Sequence, residues 1–379
     1  MDSSDSDNSE SDFDDLPLLR RLARRRVRRI LAGNRDSSDE ESSSDDDSSS
    51  EDESSSDEEE DAGDEQDAIE NLLRRVREND PETLEISSNT EYGQYFQNMS
   101  GNHWEQLGLS ISSNNHVRRL ELDDTLNEEN MSSFFRGLTG SSTIRKVRVT
   151  DNGFGVEGVR IMERFLQNTS NLTSLNVNGN NIGSEGFNLL WRALRDSPIE
   201  MLSCCMCNIK SIEIDGDRVP KNLTTLFVYD NMIDTDDCYE LAKLLQGGHS
   251  MLNNLDLEYN YIDDEGIAAL TNALQSNTSL RNVDLRGNKI CVEGMTSLLK
   301  LVNDISSIKA TLMKSNHTLQ TIMVDEDTNE IQRHINAATK INRESKKNTA
   351  AGRAKVIHTQ LHSTKRAELA HLLRLWPRG

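Results

Sequence analysis

The chain has 379 residues and a formal charge of −23, from 65 Asp and Glu against 42 Lys and Arg. No run approaches the roughly eighteen apolar residues a spanning helix needs, and the acidic start does not read as a secretory signal. Five Cys, with three clustered at 204, 205 and 207, make no disulfide framework, which points to a soluble protein of a reducing compartment, cytoplasmic or nuclear.

The charges are sorted into blocks. Residues 1–15 carry seven acids and no base, 16–35 eight Arg and no acid, and 36–67 eighteen acids and no base. Residues 1–67 therefore hold −17, 68–330 hold −15, and 331–379 hold +9. The expected organisation is a disordered acidic, Ser-rich arm over 1–67, a folded body over 68–330 and a basic helical cap over 331–379.

Within the arm, Leu19, Leu22, Ala23, Val27, Ile30 and Leu31 recur at helical spacing among seven Arg between Arg20 and Arg29. Such a basic amphipathic segment, 16–31, suits an import signal, membrane-surface docking, calmodulin binding or a clasp against the flanking acids. From Ser37 to Asp61, Ser triplets alternate with acid triplets, too polar to offset the entropy of ordering. Ser37, Ser38, Ser42, Ser43, Ser44, Ser48, Ser49, Ser50, Ser54, Ser55 and Ser56 each have an acid three residues on, the pattern an acidophilic kinase reads. Each phosphate would add about −1.5 to −2 charges.

Next, Ile69, Leu72, Leu73 and Val76 form one apolar stripe, so 66–79 is predicted to be a capping helix. Leu84 and Ile86 then begin a short strand, and from there a period of 24 to 29 residues takes over. Leu172/Leu175/Val177/Asn180/Ile182 is one copy, and Leu223/Leu226/Val228/Asn231/Ile233, Leu252/Leu255/Leu257/Asn260/Ile262 and Leu280/Val283/Leu285/Asn288/Ile290 follow it. Ile144/Val147/Val149/Asn152/Phe154 is a fifth; in a sixth, Ile199/Leu202/Cys204/Cys207/Ile209, Cys takes the Asn position. Weaker copies start at Val117 and Leu319.

Alternating apolar residues put two side chains on one face of a strand, and the Asn can satisfy backbone groups left unpaired where the chain turns. A helix is expected after each turn, since Gly158, Gly186, Gly266 and Gly294, each preceded by Glu, open apolar stripes at helical spacing. One strand and one helix cannot bury both faces alone, but stacked neighbours can. The stretch 300–318 is expected as an elongated helix or an inserted loop.

The L-x-x-L-x-L-x-x-N-x-I copies resemble leucine-rich repeats of the ribonuclease-inhibitor-like class, over about 84–330. The acid-and-Ser arm and the basic end are similar to uncharacterised repeat proteins of diatoms. The resemblance implies an α/β solenoid, a horseshoe of eight or nine strand–helix repeats with a parallel concave sheet and convex helices. It also implies a non-enzymatic scaffold that binds other proteins along its inner strands.

Register then assigns the concave face: residues flanking the buried positions point into it. Met201, Phe227, Tyr229, Asp230, Asp256, Glu258, Tyr259, Asp284 and Arg286 are the candidate partner-binding residues, aromatic anchors beside fixed charge that favour a basic protein partner. By the same register Cys204 faces the core and Cys205 faces outward, and no second Cys or His pair completes a zinc site. Neither a catalytic motif nor a cofactor motif is found. The chain is expected as a monomer, with no small-molecule substrate and with nucleic acid disfavoured. Two alternatives stand beside the scaffold: a nuclear acidic protein shielding histones or other basic proteins through its arm, and a GTPase activator of the Ran-activator type using Arg119, Arg145 or Arg148.

Overall fold

The structure is a computed structural model and describes residues 57–361 apart from 215–218, 247–249 and 326–329. The Arg-rich segment 16–31, the Ser sites from Ser37 to Ser56 and the end beyond 361 lie outside the described residues.

Nine parallel strands form one open sheet, each paired to the next in chain order. They are β1 Glu85–Ser87, β2 Arg119–Glu121, β3 Lys146–Arg148, β4 Ser174–Asn176, β5 Met201–Ser203, β6 Thr225–Phe227, β7 Asn254–Asp256, β8 Asn282–Asp284 and β9 Thr321–Met323. The central residue of every strand is buried, and Ile86, Leu120, Val147, Leu175, Leu202, Leu226, Leu255, Val283 and Ile322 stack in register along the sheet. Each such side chain contributes about 1.5–3 kcal/mol by leaving water.

The helices follow their strands. α1 Asp57–Arg77 precedes the sheet; α2 Gly101–Ser113, α3 Glu128–Leu138, α4 Val156–Asn168 and α5 Gly183–Ala193 follow β1 to β4. α6 Thr235–Gln246, α7 Asp264–Leu274 and α8 Val292–Val302 follow β6 to β8. The 300–318 stretch resolves into the end of α8 and a short helix, α9 Ile308–Met313. α10 Glu330–Glu344 and α11 Asn348–Val356 come after β9. α1 starts inside the stretch that composition assigns to the arm; Ile69, Leu72, Leu73 and Val76 are its buried stripe.

The Asn ladder carries the turns. Asn180 Nδ2 donates to Val149 O and Val177 O, both at 2.8 Å, while its Oδ1 accepts from Asn152 N at 3.0 Å. Asn231, Asn260 and Asn288 repeat this, each tying its own turn to the repeat before it. Cys207 takes up the duty with a weaker donor, its Sγ lying 3.4 Å from Val177 O and 3.3 Å from Cys205 O.

The expectation of a helix after every turn fails once. Between β5 and β6 the chain has no helix among the described residues, and Ile209, Ile212 and Ile214 supply the buried apolar contacts instead. Side chains of the flanking helices satisfy its backbone: Asp237 Oδ1 accepts from Ile212 N, Asn188 Oδ1 from Glu213 N and Glu240 Oε2 from Ile214 N. This is the shortest repeat, with 24 residues between Leu202 and Leu226.

At the C-terminal end Lys355 of α11 is fully buried, its Nζ donating to Val302 O and to Asn316 O at 3.0 Å and standing 3.2 Å from His317 Nδ1. Burial lowers the Lys355 pKa to about 7. His317 falls to about 4, first through burial and then through Lys355.

Candidate functional site

Four parallel rows of residues line the open face of the sheet, the face turned away from the helices. Strand register aligns Met201 with Thr225 and Asn254 in the first row, and Ser203, Phe227, Asp256, Asp284 and Met323 in the second. Two residues further along each chain come Asn178, Cys205, Tyr229, Glu258, Arg286 and Asp325. The fourth row is Asp124, Asp151, Gly179, Met206, Asp230, Tyr259 and Gly287, and all seven have positive φ.

That fourth row explains itself physically. After β3 to β8 the chain turns through a left-handed residue one position before the ladder Asn or Cys207, and after β2 through Asp124, a place that favours Gly or Asp. Met206 at φ 54° and Tyr259 at φ 52° are bulky exceptions, each held there at a cost of about 1–3 kcal/mol. Tyr259 is also 45 % exposed.

The nine candidates divide by burial. Tyr259 and Asp230 are exposed, and Met201, Phe227 and Arg286 are half-buried. Tyr229, Asp256, Glu258 and Asp284 are buried, which corrects the expectation that these alternating positions lie open. For the acids the reason is backbone hydrogen bonding. Asp256 Oδ1 accepts from Glu258 N at 3.0 Å and Asp284 Oδ1 from Arg286 N at 3.2 Å, as Asn176 Oδ1 does from Asn178 N. Second-row side chains thus cap strand ends that the ladder leaves open, and alternation alone cannot reveal that.

Asp256, Glu258 and Asp284 bring carboxylate oxygens within 4.8 Å of one another, the one such group of possible metal ligands among the described residues. The Arg286 guanidinium lies against two of the three. Its Nε donates to Asp284 Oδ1 at 2.9 Å, and its Nη2 reaches Asp284 Oδ2 and, at 3.4 Å, Glu258 Oε2. The hydrogen bond to Asp284 raises the Arg286 pKa further above its ordinary value. Tyr259 follows Glu258 of this buried carboxylate cluster directly in the chain.

Cys205 is fully buried, against the expectation that it faces outward. Ser203 Oγ stands 3.5 Å from its Sγ, and Asn178 Oδ1 accepts from its backbone N at 2.7 Å. Burial raises all three clustered thiols, Cys207 to about 12 and Cys204 and Cys205 well above their ordinary range, so they are unreactive core groups. Of the arginines considered for GTPase activation, Arg119 pairs with Glu85 at 3.0 Å and Arg148 with Asp123 at 2.9 Å, while Arg145 is exposed.

Sequence reading missed a second set of Asn on the opposite approach to the strands. Asn114, Asn277 and Asn316 each donate from Nδ2 to a carbonyl of the preceding repeat unit and accept from the two backbone N–H groups that lead into the strand. Their signal is an Asn three residues before the first consensus apolar position, as in Asn277–Leu280 and Asn316–Leu319.

A family model described as "Leucine Rich repeat" matches residues 169–187, 248–270 and 276–299. Among curated proteins none matches significantly. Solved structures similar to this chain include the actin-binding site 2 of leiomodin-1, 13% identical over 78% of this chain and 98% of that one, with a TM-score of 0.18. A chain of the crystal structure of the yeast Rad7 and Elc1 complex is 12% identical over 72% of this chain and 93% of that one, with a TM-score of 0.28. A TLR13–ssRNA13 complex is 12% identical over 60% of this chain and 34% of that one, with a TM-score of 0.34.

Proposed function

Because the chain is a leucine-rich repeat protein, we propose that it is a non-enzymatic protein-binding scaffold whose open sheet face takes a basic protein partner. Its repeats, with a full helix for most strands, fit the ribonuclease-inhibitor-like class. The observation that carries the reading is Tyr259: a large exposed ring, held in a left-handed conformation that glycine would adopt without strain, directly after Glu258 of the buried carboxylate cluster. Backbone strain of this kind is retained where the side chain has work to do. Met201 and Phe227 extend the apolar surface, Asp230 adds an exposed carboxylate, and the partly exposed Arg286 offers donors at the margin. A Lys or Arg of the partner would meet the field of Asp256, Glu258 and Asp284, and an aliphatic or aromatic side chain would lie on Tyr259.

The −17 carried by residues 1–67 supports a second contact to the same class of partner, strengthened by phosphate on the Ser from Ser37 to Ser56. Affinity purification with the full chain, compared with Tyr259→Ala and Asp230→Lys variants, tests the face. Loss of the same basic proteins in both variants is the expected result, and an unchanged set of captured proteins would refute the site.

A further inference from the structure

The two ends of the sheet are finished differently. At β9, α10 packs over the strand. Among the described residues, the one strand beside β1 is β2. Leu84 O accepts from Arg118 N and Ser88 N donates to Glu121 O, both at 2.8 Å, so the even-numbered residues of this stretch bond toward β2. The N–H groups of Glu85 and Ser87 and the carbonyl of Glu85 therefore face away from it, and among the described residues no strand stands there to take them. An open strand edge is a template for another chain unless it is covered or blunted.

The space beside this edge is shaped. A cavity of about 440 Å³ lies against β1, with Leu72, Ile86 and Phe96 in its wall and Glu82, Glu85 and Glu91 among its lining residues. Arg75, the one cation that lines it, is held by Asp80 at 2.7 Å. At its border Leu84 is 55 % exposed, an apolar side chain left in water at the start of the strand. Apolar wall, unpaired backbone and acidic border coincide at one place.

We propose that β1 is a docking edge that takes an extended basic segment of a partner protein as a tenth strand, independently of the open-face site. Main-chain hydrogen bonds to Glu85 and Ser87 supply the register. The partner residue that stands opposite Ile86 turns a branched aliphatic side chain toward the cavity. Its two neighbours, Lys or Arg, fall on the other face, beside Glu85. This is strand addition, in which backbone bonds give affinity and alternate side chains give specificity.

The test uses the full chain and three synthetic peptides. One is Arg-Leu-Arg-Val-Arg-Leu-Arg, blocked at both ends; the other two have the same sequence, one N-methylated at the amides of one edge and one at those of the other. Binding is read by titration calorimetry and by hydrogen exchange. The expected result is saturable binding of the unmodified peptide, protection of the Glu85 and Ser87 amides, and at least a roughly tenfold loss for one methylated form, the size expected when one or two hydrogen bonds are removed. A Glu82→Gln, Glu91→Gln variant weakens binding, whereas Tyr259→Ala leaves it unchanged, so failure here and failure of the open-face site are separable. Equal binding of both methylated forms would overturn the proposal. So would amides of Glu85 and Ser87 already protected before any peptide is added.

Discussion

The ring of Tyr259 lies on the backbone of Gly287: a Cβ added to Gly287 would come 2.3 Å from Tyr259 Cδ1. Both residues occupy the left-handed row, at φ 52° and 67°, one repeat apart. Gly287 thus provides the floor on which the exposed ring rests.

Gly287→Ala should therefore do two things. The methyl group displaces the Tyr259 ring and sits at an unfavourable φ, for a loss of about 1–3 kcal/mol. Thermal unfolding gives the stability, and the same sample should bind its partner more weakly. Tyr259→Gly goes the other way in stability, gaining about 1 kcal/mol by relieving the left-handed strain, and loses binding.

Arg286→Met removes the cation that lies against Glu258 and Asp284. Breaking a buried charge pair from one side costs about 3–5 kcal/mol. Urea denaturation should show that loss, and adding Glu258→Gln should recover part of it. If the single variant is as stable as the parent chain, the cluster is not electrostatically dependent on Arg286.

Asn260→Ala removes the donor to Val228 O and Leu257 O and the acceptor for Ile233 N. With each orphaned buried group worth about 1–3 kcal/mol, a total loss of about 3 kcal/mol or more is expected. Asn316→Ala, in the second set, should cost a similar amount, while Asn272→Ala, on the exposed side of α7, should cost no more than about 0.5 kcal/mol.

Stability should change with pH in two opposed steps. Unfolded, Lys355 keeps its proton to about its ordinary 10.5; folded, it releases the proton near 7, so in between the unfolded chain binds more protons and stability rises with pH. The buried thiols of Cys204, Cys205, Cys207 and Cys238 keep their protons well above the ordinary 9.0, so above that pH the unfolded chain loses protons that the fold retains and stability falls. Urea midpoints should climb from pH 7 toward 9 by up to about 1.4 kcal/mol per pH unit and then drop. Lys355→Met should flatten the climb and leave the drop.

The frame was legible because its causes are local. Leu175 and Val177, or Leu255 and Leu257, announce a strand by alternation, and the Asn that follows announces the turn it will satisfy. The open face was harder to read. Asp256 and Asp284 occupy positions that alternation assigns to water, yet they serve the backbone two residues on and are buried. Tyr229 is buried as well, so the exposed aromatic surface rests on Tyr259 and part of Phe227 rather than on all three rings. Lys355 gave no signal at all: a basic residue on a polar helix becomes buried only because Val302, Asn316 and His317, from distant turns, converge on its amine.

One irregularity has mechanical meaning. At the repeat that starts with β5, the Asn of the ladder is replaced by Cys207 and the outer helix is replaced by a segment fastened through Asp237, Asn188 and Glu240. Two of the bonds that make neighbouring units melt together are weakest at the same level of the stack. That level is a fault line: under load or gentle heating, the stack would open first at the β5 repeat, where Cys207 ties it to the β4 repeat, and the Tyr259 cluster would stay whole on the C-terminal side.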